Sequence, residues 1–226
     1  MPNQPQLFIV ATPIGNLGDI SPRAIETLKN VDMIACEDTR HSKKLLNHFE
    51  IKKPLISFYS QSDPEKILKL LRQEKTVALI SDAGTPCISD PGFKLLQAAI
   101  KENVTISPIP GTSAIIAALS VSGFPANHFE FFGFIPHKKG RNKLLEKINE
   151  LNHTAIFYES THRIIKLLQQ LHKIMPERQI ILAREMTKIF EEFLRGTAEE
   201  ILETINQNLK KQKGEFTVLV EPCEKH

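Results

Sequence analysis

Short apolar runs alternate with segments of helical period from one end of the chain to the other. Residues 7–11, 31–36, 55–58, 76–80 and 104–109 read as strands, each followed by turn residues and then by a helix-period stretch. Ser21-Pro22 is an N-cap with proline in the first helical position, and it predicts a helix to about residue 30. A basic helix follows over about 40–49, another starts at Asp63-Pro64, a third is opened by Asp90-Pro91, and a small-residue helix covers 112–121. Strand and helix in alternation predict a mostly parallel sheet with helices on its faces. Ser122-Gly-Phe-Pro-Ala126 interrupts the pattern and reads as a linker. Beyond it, strands are expected at 128–134, 154–158, 179–183 and 215–220, and an antiparallel strand at 189–195. Helices are expected over 138–151 and 161–174, and after the capping-box spacing of Thr197 and Glu200. The pattern therefore predicts two α/β domains with mostly parallel sheets, spanning 1–121 and 127–226.

Composition narrows the class. Of 226 residues, 41% are hydrophobic and 24% charged, which argues against disorder. The net charge of +3 is shared almost evenly by the two halves, so a basic surface must come from local clusters. Cys36, Cys87 and Cys223 form no C-x-x-C pair, which argues against a disulfide scaffold or a zinc ribbon, and no metal site is expected. Residues 1–6 are polar, without a basic and apolar leader pattern, and no stretch approaches 18 apolar residues. The expectation is a reduced, soluble, cytoplasmic protein without a membrane segment.

In open α/β sheets, ligands sit beyond the carboxyl ends of the strands. Polar, Gly- and Pro-rich sequence gathers there: Thr12-Pro-Ile-Gly-Asn16 after the first strand, Glu37-Asp-Thr-Arg40 after the second, Ser81-Asp-Ala-Gly-Thr-Pro86 and then Ser89-Asp-Pro-Gly92 after the fourth, and Pro110-Gly-Thr-Ser-Ala114 after the fifth. Ordinary turns use the same residues. The chain has no G-x-G-x-x-G, no P-loop, no H-E-x-x-H and no G-x-S-x-G. A cofactor held by backbone groups and small residues fits what remains.

With Gly133-Phe-Ile-Pro136, Phe157-Tyr-Glu-Ser160 and Arg184-Glu-Met-Thr-Lys188 added to these loops, the chain resembles the tetrapyrrole methylase-like family of S-adenosylmethionine-dependent methyltransferases, and within it the branch acting on ribosomal RNA. Members that modify tetrapyrroles have a Gly-rich first loop and Gly-Asp-Pro in the fourth. This chain has Pro13-Ile-Gly15 and Ser81-Asp-Ala83, which favours the RNA branch. The resemblance implies S-adenosylmethionine in the interdomain cleft, a homodimer, and methylation of the ribose 2′-oxygen of a decoding-region cytidine in 16S rRNA, free or in the 30S subunit. It assigns Pro13, Asp82, Thr85, Ser113 and Ala114 to the cofactor, with Glu159 and Thr217 closing from the second domain. The same fold could instead serve a tetrapyrrole or a protein side chain, or persist in a non-catalytic RNA-binding assembly factor.

A hydroxyl is a weak nucleophile until its proton is removed, so a carboxylate or a neutral lysine near it would help. Candidates are Glu37, Asp38, Glu185 and Lys188. Asp38 could equally be a helix N-cap, Asp82 an Asx turn, and Glu185 with Lys188 a surface ion pair. RNA requires positive surface and stacking partners. Arg40 and Lys43 form one basic cluster, Lys138, Lys139, Arg141 and Lys143 a denser one, and Arg163 comes after the Tyr158-Glu-Ser160 loop. Such runs also occur as plain solvated helix faces, and one of Phe131 and Phe132 is expected in the core.

Overall fold

A computed structural model describes residues 6–223. All but Gln6 of the polar 1–6 segment, and residues 224–226, lie outside the described residues. By its internal contacts the chain divides into Met1–Ser113 and Ala114–His226. The sequence boundary at 122–126 differs from this division in the assignment of one helix, α5 (Ala114–Ser120). Among the described residues no helix is long and apolar enough to cross a membrane.

The first unit runs β1 (Leu7–Val10), α1 (Pro22–Asn30), β2 (Met33–Cys36), α2 (Thr39–His48), β3 (Leu55–Ser57), α3 (Glu65–Arg72), β4 (Val77–Leu79), α4 (Phe93–Lys101) and β5 (Ile106–Ile109). Its sheet has the order β3-β2-β4-β1-β5 with every pairing parallel. The central strands are apolar on both faces because both are covered: Val10, Ile34 and Ala78 pack into one core, Leu7, Ala35 and Leu79 into the other. Ser21 caps α1 as expected, its hydroxyl accepting from the Ala24 amide at 3.1 Å. Asp90-Pro91 does not open α4. Gly92 stands before it at φ +139°, outside helical space, and α4 begins at Phe93.

The second unit runs α5, β6 (Phe129–Phe134), α6 (Arg141–Asn149), β7 (Thr154–Ser160), α7 (Ile164–Ile174), β8 (Ile180–Arg184), β9 (Glu192–Gly196), α8 (Ala198–Gln207) and β10 (Glu215–Val220). Its sheet order is β6-β7-β10-β8-β9. Here the expectation of mostly parallel pairing is corrected. Only β6 and β7 are parallel; β10 runs antiparallel to both β7 and β8, and β9 runs antiparallel to β8 as expected. The reason is topological: β10 returns from α8 into the gap between β7 and β8. Helix α7 shows how the face is built. Ile164, Leu167, Leu168 and Leu171, at helical spacing, are all fully buried, each contributing about 1.5–3 kcal/mol of apolar transfer free energy. Thr197 and Glu200 form the reciprocal capping box at the start of α8. Helix α6 starts later than its periodicity predicts, because Gly140 at φ +81° takes a left-handed turn before Arg141. Phe131 and Phe132 are both half-buried, so neither is a full core residue.

Candidate functional site

In the first unit, the loops after β1, β4 and β5 are laced together by main-chain and hydroxyl bonds. The Thr12 amide donates to the Gly84 carbonyl at 2.9 Å, and the Gly84 amide returns a bond to the Thr12 carbonyl at 3.0 Å. The Thr12 hydroxyl donates to the Ser81 carbonyl, the Thr112 hydroxyl to the Thr12 carbonyl, and the Thr85 hydroxyl to the Thr112 carbonyl at 3.0 Å. Gly111 permits this closeness: a Cβ there would stand 2.9 Å from the Ala11 Cβ. Gly84 adopts φ +78°, which the turn requires. Pro13 is buried beside this lacing, and Asp82, Thr85 and Ser113 are half-buried. Four of the five residues assigned to the cofactor in the first loops are thereby gathered at one sheet edge. Ala114 begins α5 and belongs with the second unit.

A group of carboxylates stands at the same edge. The Asp38 amide donates to Asp82 Oδ1 at 3.4 Å, which ties the loop after β2 to the loop after β4. Glu37 is exposed as a residue, but partial burial of its carboxyl pushes it above its usual range, and the charges of Asp82 and Asp90 push it the same way. Burial also raises Asp90, against the lowering effect of a hydrogen bond with Ser81, and Asp82 adds to the rise. The Cys87 thiol is pushed up to about 11 by burial and by Asp90, which leaves it protonated and unreactive at neutral pH. Among the described residues, Glu37, Asp82 and Asp90 take part in no ion pair. Asp38 is the N-cap of α2, accepting from the Arg40 amide at 2.8 Å, and pairs with the Arg40 guanidinium at 3.2 Å. That hydrogen bond from the Arg40 side chain holds Asp38 below the ordinary carboxylate range. Arg40 and Lys43 are exposed on α2.

The second unit treats its central acid differently. Glu159 is 2% exposed at the end of β7. Its Oε1 forms an ion pair with Arg163, 2.6 Å from Nε, and accepts from the Ser160 amide at 2.8 Å; its Oε2 accepts from Arg141 Nη1 at 3.1 Å. Arg141 also donates to Gln170 and to the Pro136 carbonyl, and Arg163 to the Ile135 carbonyl. Three of the residues assigned from sequence stand in this network. The Glu159 carboxylate is taken up by two arginines. Arg141 is 3% exposed and does not present itself to a phosphate. Arg163 spends its guanidinium on Glu159 and a carbonyl. Lys138, Lys139 and Lys143 are exposed, and among the described residues they form no ion pair. Thr217 is 3% exposed in the middle of β10, opposite Tyr158 and Ala183.

Glu185 and Lys188 sit in the turn between β8 and β9, where Glu185 and Thr187 both have positive φ. Lys188 Nζ bonds Glu185 at 3.0 Å and Glu215 at 3.1 Å. Partial burial acts to lower the Lys188 pKa, but the two carboxylates outweigh it and hold the ammonium above its ordinary value. The pair of carboxylates thus favours the charged form of Lys188 over the neutral form that proton removal would need. Burial acts to raise Glu185, and the Glu215 amide and Lys188 together bring it below its ordinary value. Arg184 is buried and donates to the carbonyls of Lys213, Phe190 and Lys210. Sequence reasoning places Asp90 in the loop that follows the fourth strand but assigns it no role, because Asp90-Pro91 also reads as a helix opening.

Residues 6–202 match the sequence profile of the tetrapyrrole (corrin/porphyrin) methylases. A protein of Halalkalibacterium halodurans called ribosomal RNA small subunit methyltransferase I is 47% identical over 219 residues, covering 95% of this chain and 75% of that one. A protein of the same name from Thermotoga maritima is 44% identical, covering 95% of this chain and 97% of its own. A crystal structure of diphthine synthase superposes with a TM-score of 0.74 over 97% of this chain and 91% of its own, at 15% identity, which speaks to the fold alone. Fold, loop motifs and relatives agree: the chain belongs to the tetrapyrrole (corrin/porphyrin) methylase family.

Proposed function

We propose that this chain is a ribosomal RNA methyltransferase that transfers the methyl group of S-adenosylmethionine to the ribose 2′-oxygen of a decoding-region cytidine in 16S rRNA, and that it works as a homodimer on the free rRNA or the 30S subunit. The observation that carries the reading is its identity of 44–47%, over 95% of its length, with proteins named for methylation of small-subunit ribosomal RNA.

The first unit's strand-end loops suit the cofactor. When bound, S-adenosylmethionine supplies an electrophilic methyl group on a cationic sulfonium. Asp82 and Asp90 offer carboxylates without a competing cation, suited to an amine or sulfonium. The laced backbone around Thr12, Gly84 and Thr112 offers fixed carbonyls and amides for the remaining polar groups, and Pro13 an apolar wall. Because the loops are held by main-chain bonds, they are preorganised, and ordering them costs little on binding. Glu37, raised in pKa and exposed, is the carboxylate best suited to take the proton of the ribose hydroxyl; Lys188, held charged, is suited to orient or attract phosphate. Exposed Lys138, Lys139, Lys143, Arg40 and Lys43 supply positive surface for RNA.

The test is ribose-methylation mapping of 16S rRNA from cells lacking the gene. One 2′-O-methyl mark should vanish and return when the wild-type gene is restored. An unaltered methylation pattern rejects the proposed substrate.

A further inference from the structure

Strand β6 carries an irregularity with consequences for one side chain. Phe131 lies opposite Ile156 of β7, yet Phe134 lies opposite Tyr158, so three steps on β6 match two on β7. The extra residue is a bulge, with Gly133 at φ +63°. A bulge reverses the inside–outside alternation. Phe132 accordingly packs toward the core under α6 and α7, whereas Phe134 emerges on the opposite face, with Phe131. There Phe131 and Phe134 flank the Tyr158 ring at centroid distances of 5.0 and 5.4 Å. Phe134 stays 56% exposed.

The segment after Phe134 is held rigidly. Arg163 grips the Ile135 carbonyl at 2.9 Å and Arg141 the Pro136 carbonyl at 3.2 Å, both arginines being fixed by Glu159. The Arg141 amide holds the Lys138 carbonyl at 3.2 Å. The buried ion network thus sets where the exposed Lys138 and Lys139 stand relative to Phe134. From Phe131 to Gly140 there is no acidic residue.

We propose that Phe134, backed by Tyr158 and Phe131, is a stacking platform for an unpaired RNA base, with Lys138 and Lys139 meeting the phosphates that flank it. This deepens the rRNA reading and rests on it. The chemistry selects the occupant. An exposed ring four and five residues before two cations outside any ion pair, in a segment with no acidic residue, suits a planar π-system carried on a polyanion. Unstacked bases in single-stranded rRNA have that form.

The experiment measures binding of a short fluorescein-labelled oligocytidylate to the full chain across a salt series, with calorimetry of S-adenosylmethionine alongside. Phe134→Ala should weaken RNA binding about tenfold with an unchanged salt slope, since base–aromatic stacking carries no counterion release. Phe134→Tyr should restore affinity, and cofactor affinity should stay level in both. Lys138→Gln with Lys139→Gln should instead flatten the slope by about 0.7 per lost phosphate contact on a single strand. If Phe134→Ala binds like the wild type while the lysine variants flatten the slope, the platform is rejected and the RNA surface stands. If Phe134→Ala loses cofactor and RNA affinity together, the ring serves the cofactor and the proposal falls. If the wild type ignores the oligonucleotide, the platform also falls, and the rRNA reading is then decided by the methylation map alone.

Discussion

The strand-end loops of the two units handle charge in opposite ways. In the first unit, main-chain and hydroxyl bonds between Thr12, Gly84, Thr85 and Thr112 hold the loops, and the carboxylates of Glu37, Asp82 and Asp90 are left without cations. In the second, the carboxylate of Glu159 is consumed by Arg141 and Arg163, and Lys138, Lys139 and Lys143 form no ion pair among the described residues. On the proposed function, the first arrangement leaves negative charge for a small cationic ligand, and the second uses a buried acid as scaffold and leaves positive charge for a polyanion.

The contrast is broken most severely at Glu159. Glu159→Ala leaves two guanidinium groups facing a buried gap, and removal of one partner from such a pair costs about 3–5 kcal/mol. Urea unfolding should show a loss of that size; a loss under about 1 kcal/mol would mean that solvent already reaches the network. Next in size is Asp82→Ala. If the first edge reserves its acids for a cationic ligand, calorimetry should show S-adenosylmethionine binding weakened roughly ten- to a hundredfold, the value of a lost charge-assisted bond, in a protein that unfolds like the wild type. Equal affinity would remove Asp82 from the cofactor site.

A smaller effect sharpens the other side. Adding Lys143→Gln to the two lysine variants should reduce the log–log salt slope of RNA binding by a further step of about 0.7–0.9. Arg141→Lys should leave that slope as it is, because Arg141 is inside. The smallest effect concerns pH. A carboxyl whose folded pKa is raised contributes stability that is fully present below its unfolded pKa and is lost as pH rises through its folded pKa. Glu37 and Asp90 are both raised, by burial first and by neighbouring carboxylates after it. Glu37→Gln and Asp90→Asn should therefore each lift the melting temperature by about 1–2 °C at about pH 8. The gain should fade as pH falls below the raised values; a gain that persists at about pH 3, below the unfolded pKa of either carboxyl, would have another source.

Local features were legible in the sequence; long-range ones were not. Ser21-Pro22 and Thr197 with Glu200 specify helix starts through contacts three residues apart, and they stand where expected. The parallel first sheet follows from strand–helix alternation. The second sheet resisted because β10 pairs with strands far earlier in the chain, and no local period encodes that partner. At the site, the strand-end loops were recognisable, since Gly84 and Gly111 mark close backbone approach. Arg141 reads as a surface cation because its neighbours Lys138, Lys139 and Lys143 are surface cations; its partner Glu159 is eighteen positions away. The i,i+4 spacing of Glu159 and Arg163 was the available hint. Phe134 lay beyond reach, because a single extra residue at the bulge decides which side of the sheet it occupies.

The position of β10 also bears on how the chain is made. The first unit has every strand of its sheet once residue 109 has left the ribosome, so it can complete its fold while the remainder is still being synthesised. The second cannot. Its middle strand is residues 215–220, and until they emerge β7 and β8 have no partner on the sides that will face each other. For that interval the unit carries two unpaired apolar strand edges, which is the form most prone to pairing with other chains. Nascent-chain yield should therefore depend on the late arrival of one six-residue segment far more than on any strand of the first unit.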